Sequence, residues 1–437
     1  MTEQLLPICS GAAAAMREAS PYIRTHRGET FVVYVGGEAL SEWGFAGLVQ
    51  DLILLRGLGV KLIVVHGARP QIDVKVANSG IEQEFVGDLR VTDSNTLACA
   101  KDAIAAVRIE FEARLSQSAV DIPRRGLAIA VSGGNFVTAR PVGVVTGVDL
   151  HFTGEVRCID LDAIQRRLDG GELVLISPLG FSPTGEVFNL NSLDLASAVA
   201  CEIKASKLIL MMDSPGITDS EGSVARQLTV GEARGFCASG PVPNRFLACA
   251  IGACELGVER VHLIDRELEG VLIDELFTRD GVGTLVSDTP FDRIRLATIE
   301  DVGGILALIG PLERDGSLVK RSREKLEIEI ECFSVLVREG VVVACGALYT
   351  LANDLGEIAC LAVHPDYRRD GFGNLVLGAL EHRASTAGLQ QVFALTTQAT
   401  HWFLENGYVR IEISDLPVER RAMYNYQRNS IVLSKRL

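Results

Sequence analysis

The chain has 437 residues, too many for one ordinary core, and 48% of them are hydrophobic, enough to build two or three. Its 56 acidic and 42 basic side chains leave a net charge of −14, which argues against nucleic acid or an anionic membrane as partner and makes any local basic cluster a candidate site for a small anion. No apolar run reaches membrane-spanning length, the N-terminus lacks a secretory pattern, and the ten cysteines form no C-x-x-C pair, so the expectation is a cytoplasmic protein with reduced thiols and no metal.

Residues 1–27 are the first segment. Positions 4–20 are alanine-rich and read as a helix that Pro21 ends or bends, either packed on the body or serving as an oligomer arm. Residues 31–37 and 60–67 are apolar strands ending in glycine, and 127–131, 173–176 and 208–212 are further short strands with helical stretches between them. This alternation predicts an α/β fold over residues 28–286, a three-layer arrangement with helices on both faces of a parallel sheet. Residues 135–155, rich in Val, Thr and Gly, read as a hairpin excursion. A strand over 258–265, a helix over 272–277 and a glycine-rich turn at 281–284 close this part.

Residues 287–291 form a polar linker, and a new pattern occupies 292–437. It opens with a strand at Arg295, a helix over 299–309, a helix over 324–331 and strands over 333–338 and 341–350. Then comes the most informative stretch, 356–388. Glu357, Ala359, Leu361 and Val363 alternate with Ile358, Cys360 and Ala362 as on the two faces of a strand, and His364-Pro365-Asp366 stops the pattern. Phe372, Val376, Ala379, Leu380 and Arg383 then recur at helical spacing. Arg368, Arg369, Asp370, Gly371, Phe372 and Gly373 lie at the junction, where bare backbone N–H groups, a helix N-terminus and arginine charge suit a diphosphate. A strand over 391–397, a helix over 400–406 and a closing strand at 431–433 follow. Lys320 and Arg321 precede the loop, and Arg420, Arg421, Arg428 and Ser430 follow it. Two basic clusters converging on one cleft would suit a small ligand with two carboxylates; solvated surface arginines are the alternative reading.

The 356–388 stretch resembles the acetyl-coenzyme A motif of the GNAT superfamily of N-acetyltransferases, and the order of elements over 292–437 is similar to that fold. The resemblance implies that Leu361 and Val363 hold the pantetheine arm through their backbone, while the 368–373 loop holds the pyrophosphate. Three earlier segments, His66-Gly67-Ala68-Arg69-Pro70-Gln71-Ile72, Asn189-Leu190-Asn191-Ser192-Leu193-Asp194 and Met212-Asp213-Ser214-Pro215-Gly216-Ile217, resemble the amino-acid kinase fold, closest to acetylglutamate kinases. Tyr34 stands where those kinases carry a phosphate-binding lysine, and Ala68-Arg69 stands in place of a glycine pair. Phosphoryl transfer depends on positioned charge, so this part is expected neither to phosphorylate nor to use ATP.

Taken along its whole length, the chain resembles the bacterial N-acetylglutamate synthase family. That resemblance implies acetyl transfer from acetyl-CoA directly to the α-amino group of L-glutamate, giving N-acetyl-L-glutamate and CoA, the first step of arginine biosynthesis. Lys320 or Arg321 would hold the α-carboxylate, with backbone at Leu318 and Cys360, while Arg420, Arg428 and Ser430 would hold the side-chain carboxylate. Glu357 would act as general base through a water, backbone N–H near Leu361 would meet the oxyanion, and Cys360 would be structural. Many GNAT enzymes protonate the departing thiolate with a tyrosine where Trp402-Phe403 stands here, leaving Thr396, Thr397 or a water for that step. The resemblance also implies an allosteric L-arginine pocket from Tyr22, Arg245, His262, Glu275, Gly281 and Gly283, and a homo-oligomer, with a hexamer expected. Another amino acid as acceptor stays open; the arginine clusters disfavour a polyamine.

Overall fold

The computed structural model describes residues 11–41, 45–118, 129–218, 222–239, 244–278, 281–288, 293–338, 341–351, 354–368, 371–422, 424 and 430–437. The chain divides into two compact units between residues 290 and 291.

The first unit is built on an eight-stranded sheet in the order Gln227–Thr229, Thr284–Ser287, Arg260–Asp265, Lys207–Met212, Thr30–Val35, Lys61–His66, Leu173–Ile176 and Val131–Ser132. All neighbours are parallel except Arg260–Asp265 against Thr284–Ser287. The strands read as continuous apolar runs because both faces are covered. Phe31, Val33 and Ile209 face a layer containing the helices Phe45–Gly57 and Val271–Phe277; Val32, Leu208 and Leu210 face the layer of Ser192–Glu202 and Arg245–Glu255. The excursion expected at 135–155 is larger than a hairpin. Val137–Pro141 and Thr153–Ile159 close a four-stranded barrel with Leu179–Phe181 and Val187–Leu190, two strands too short to stand out in the sequence.

The N-terminal helix, Gly11–His26, continues through Pro21 instead of ending there. An interior proline costs about 3 kcal/mol. The last turn offsets this by docking: Tyr22 and Ile23 pack on the core, and His26 donates from Nε2 to the Leu276 carbonyl at 2.9 Å.

The second unit is a seven-stranded sheet in the order Arg293–Leu296, Phe333–Arg338, Val341–Leu351, Leu355–Val363, Gln391–Thr396, Ile431–Arg436 and Val409–Ile411. Its one parallel pair joins Leu355–Val363 to Gln391–Thr396, which requires a crossover, supplied by the helix Phe372–Thr386. Val302–Arg314 packs on the opposite sheet face. The edge strand Val409–Ile411 and the helix Val418–Ala422 are elements the sequence pattern did not predict. Among the described residues no helix is long and apolar enough to cross a membrane, and the nine described cysteines are free.

Candidate active site

The centre of the second unit is a gap between two strands. Leu355–Val363 and Gln391–Thr396 pair only from Leu355/Gln391 to Ile358/Ala394. Beyond that point the first strand stays with Val341–Leu351 and the second with Ile431–Arg436, so the sheet splays. At the mouth of the splay, Cys360 and Leu361 together oppose Gly346, a β-bulge, with Cys360 in the left-handed region at φ 52°.

The bulge overturns the expected alternation. Glu357 lies on the face of Tyr349, but Leu361 and Val363 join Ile358 on the crossover-helix face, while Cys360 and Ala362 join the core beneath Val302–Arg314. One extra residue shifts the side-chain phase, and nothing in the composition of 357–363 marks where. A Cβ at position 346 would sit 2.7 Å from Leu380 and 3.1 Å from Leu361, so Gly346 makes room for the displaced Leu361. Burial pushes the Cys360 thiol up to about 11 despite the nearby Arg321, so it is neutral at physiological pH, a poor nucleophile.

The loop after the strand turns tightly. Tyr367 donates its N–H to His364 O at 2.9 Å and stacks on Phe372 at 5.6 Å. Arg368 is exposed; Arg369 and Asp370 lie outside the described residues. Gly371 adopts φ 77° as the helix cap, and the first helical bond runs from Asn374 N–H to Gly371 O, so Phe372 and Gly373 present first-turn N–H groups. A Cβ on Gly373 would come within 3.2 Å of Trp402. This is a backbone cradle next to a splayed strand pair, and its first-turn N–H groups and missing Cβ atoms fit a phosphate-bearing ligand.

On the sheet face opposite the crossover helix, Glu357 is 9% exposed and receives two bonds from Arg420, Nε to Oε2 at 2.6 Å and Nη2 to Oε1 at 2.7 Å. The sequence-predicted base and one sequence-predicted carboxylate ligand are thus in direct contact. The pair uses two of the five guanidinium N–H donors, leaving three. Tyr349 is the cross-strand partner of Glu357, and its hydroxyl donates to Glu329 Oε2 at 2.6 Å. Arg321 lies beside Tyr349, Glu329 and Cys360; its own N–H donates to Glu313 Oε1 at 2.9 Å. Lys320 is exposed, Leu318 is half-buried, and Arg428 is outside the described residues. Ser430 is buried and immediately precedes Ile431, the partner of Thr396 across the far strand. Thr396 Oγ1 accepts from Ala399 N–H at 2.9 Å, which leaves its proton free to donate. Tyr349 and Glu329 were not among the sequence candidates; the register that puts Tyr349 opposite Glu357 is visible only once the strands are paired.

In the first unit a second group converges. Glu275 is buried, its Oε1 2.6 Å from His262 Nδ1 and its Oε2 accepting from the N–H groups of Val282 at 2.7 Å and Gly283 at 2.8 Å. Burial alone would raise the Glu275 carboxyl, but the His262 and backbone bonds outweigh it and hold the group below its ordinary value. His262 Nε2 lies 3.4 Å from Lys207 Nζ, so the ring accepts there and donates from Nδ1 to Glu275. A Cβ on Gly281 would lie 2.6 Å from the carboxylate, and one on Gly283 2.2 Å from Leu263 O. Tyr22 reaches this neighbourhood through His26, which packs on Phe31 and Phe277. Arg245 does not: it pairs with Asp88 at 2.9 Å from the layer on the opposite sheet face, where its neighbour Phe246 meets Tyr34.

Comparison with known proteins turns this geometry into a family. Residues 29–265 match the Amino acid kinase family and residues 307–408 the Acetyltransferase (GNAT) family. The chain is 48% identical over 425 residues to an amino-acid acetyltransferase of Ectopseudomonas mendocina (strain ymp), covering 97% of this chain and 98% of that one, and equally to that of Azotobacter vinelandii. The chain belongs to the amino-acid acetyltransferase family. The N-acetylglutamate synthase from Neisseria gonorrhoeae, solved with coenzyme A and L-arginine, is 38% identical and superposes with a TM-score of 0.89 over 98% of this chain and 100% of that one. The same enzyme with coenzyme A and N-acetyl-glutamate gives 0.63 over the same coverage.

In this acetyltransferase the kinase-like unit keeps a cleft of about 230 Å³ where the strand ends meet the glycine turns. Gly67 and Gly37 pack back to back there, so closely that a Cβ on Gly67 would lie 2.9 Å from Gly37 N. Tyr34 lines the cleft, hydrogen-bonded to Ser192 and raised above its ordinary pKa by burial, hence neutral. Arg266 reaches in but is paired with Asp213.

Proposed function

We propose that this acetyltransferase moves acetyl from acetyl-CoA directly to the α-amino group of L-glutamate, releasing N-acetyl-L-glutamate and CoA, and that L-arginine regulates it through the Glu275 group. The observation that carries the reading is the run Arg321, Tyr349, Glu357, Arg420 across one face beside the splayed strands. Tyr349 and Glu357 are cross-strand partners, about 5 Å apart, and each lies beside one of the arginines, so the two guanidinium groups suit the two carboxylates of one small acceptor. The Neisseria relative's complexes with coenzyme A, N-acetyl-glutamate and L-arginine support the same assignment.

Acetyl-CoA supplies the activated acetyl group; the amine nitrogen forms the new amide bond as the C–S bond breaks. The residues 368–373 and the first-turn N–H groups hold the diphosphate, and backbone at Leu361 and Val363 holds the arm. Arg321, half-buried where Lys320 is exposed, takes the α-carboxylate. The spare donors of Arg420, with Ser430 and Arg428, take the side-chain carboxylate. Glu357 accepts the ammonium proton through a water, N–H near Leu361 stabilises the oxyanion, and Thr396 or a water returns a proton to the thiolate.

Thiol release from acetyl-CoA across a panel of amino acids tests this. Glutamate should be the preferred acceptor, and glutamine, lacking the second charge, should be poorer by about a hundredfold or more in kcat/KM. Equal rates on the two would remove the dicarboxylate site. We also infer that the first unit does not phosphorylate acetylglutamate, because the neutral Tyr34 stands in for a cation. Incubation with ATP, magnesium and acetylglutamate should give no ADP above background; acetylglutamate-dependent ADP would overturn the inference.

A further inference from the structure

The acceptor side of the site contains a polar contact that the reaction as derived above leaves unused. Among the described residues Arg321 Nε is buried without a hydrogen-bond partner, while Nη1 donates to Val319 O at 3.2 Å and the main-chain N–H is fastened to Glu313. The guanidinium is therefore tethered through Nη1, while Nε is unsatisfied. The phenol of Tyr349 sits against it. That hydroxyl has a single proton, and the proton is committed to Glu329 Oε2 at 2.6 Å. Its oxygen lone pairs therefore remain to accept from a cation, and the cation next to it is Arg321. Glu329 is oriented in turn by Lys325, one helical turn away at 3.7 Å.

We propose that Tyr349, oriented by Glu329, is a positioning residue that aims Arg321 at the acceptor's α-carboxylate and so sets recognition of that carboxylate. The proposal rests on the reading above in which Arg321 binds the α-carboxylate. A planar fork recognises a carboxylate only in a narrow range of angles, and a long side chain with an unsatisfied Nε does not hold that angle alone. A phenol whose proton is committed to Glu329 supplies a fixed acceptor for the guanidinium, and fixing a binding group through a supporting hydrogen bond is what keeps a site from being loose. Tyr349 also lies directly across from Glu357, so the same strand pair sets the spacing between the α-carboxylate grip and the Arg420 grip.

The test is steady-state kinetics of the full chain carrying Tyr349→Phe, which removes the hydroxyl and keeps the ring. The glutamate KM should rise by about tenfold or more, with kcat and the acetyl-CoA KM within about twofold, since one hydrogen bond to a charged group is lost. Discrimination between glutamate and its α-carboxamide should shrink by a similar factor, while discrimination against the side-chain carboxamide, glutamine, stays as in the wild type; a merely structural role would move both or neither. Glu329→Gln keeps an acceptor for the tyrosine proton and should lose less than Glu329→Ala. Tyr349→Phe placed on Arg321→Ala should add nothing further. If Arg321→Ala leaves the glutamate KM unchanged, the underlying assignment of Arg321 fails. If Arg321→Ala raises it but Tyr349→Phe does not, or if Tyr349→Phe lowers kcat at constant KM, the positioning role alone is overturned.

Discussion

Replacing Glu357 by glutamine is expected to lower kcat by about a hundredfold or more, with a smaller loss at high pH where the acceptor amine is already free. The side chain is almost wholly buried, faces the acceptor side of the strand gap, and is the carboxylate in contact with Arg420. Glutamine preserves shape and one acceptor oxygen but cannot take a proton. It also turns an amide towards a guanidinium, so some weakening of Arg420 is unavoidable, and the two roles must be separated by the kinetic split. Loss of a base lowers kcat and flattens the acidic limb of the pH profile; loss of Arg420 alignment alone raises the glutamate KM. A variant with normal kcat, an unchanged pH profile and a raised glutamate KM would reduce Glu357 to a holder of Arg420.

Glu275→Ala is expected to abolish arginine binding measured by calorimetry. A guanidinium taken from water needs a charged, already desolvated partner, and Glu275 is a buried carboxylate that the His262 and backbone bonds hold below its ordinary pKa. The same substitution leaves His262 and the N–H groups of Val282 and Gly283 without their acceptor, at roughly 1–3 kcal/mol for each buried group. A drop in melting temperature is therefore expected alongside the binding loss. Glu275→Gln separates the two: it keeps an oxygen for the turn, so stability should fall less, but it removes the charge, so arginine binding should still weaken by about tenfold or more. Regulation through this group requires arginine to favour one state of the enzyme, and a typical coupling of about 1–3 kcal/mol corresponds to a several-fold to hundredfold effect on activity. Unchanged arginine affinity in Glu275→Gln would put the effector elsewhere.

Much of this architecture is legible in one sequence because it rests on local rules. Apolar runs such as 31–35 and 207–212 must be buried on both faces, which already implies helices on both sides of a sheet. The strand, glycine loop and helix at 355–386 announce themselves because a backbone cradle needs residues without Cβ atoms at a fixed place. Even Tyr34 is informative at this level, since a neutral hydroxyl cannot do the work of a cation.

What the sequence withholds depends on contacts between distant segments. Pro21 argues for a helix end until His26 finds Leu276, about 250 residues away, and docking outweighs the proline penalty. The family resemblance puts Arg245 with the expected arginine-pocket residues, yet its helix covers the other face of the sheet, where it meets Asp88. The alternation from Glu357 to Val363 is correct up to Ala359 and inverted afterwards, because a bulge is a property of two strands and not of one. The sequence by itself determined the chemistry available to this protein: which residues carry charge, where bare backbone can approach a ligand, and that position 34 offers a hydroxyl and no cation. Only the tertiary structure decided which of them meet, pairing Glu357 with Arg420 and setting Tyr349 beside Arg321, because side-chain geometry on a sheet follows from strand register, and register is chosen by the whole core.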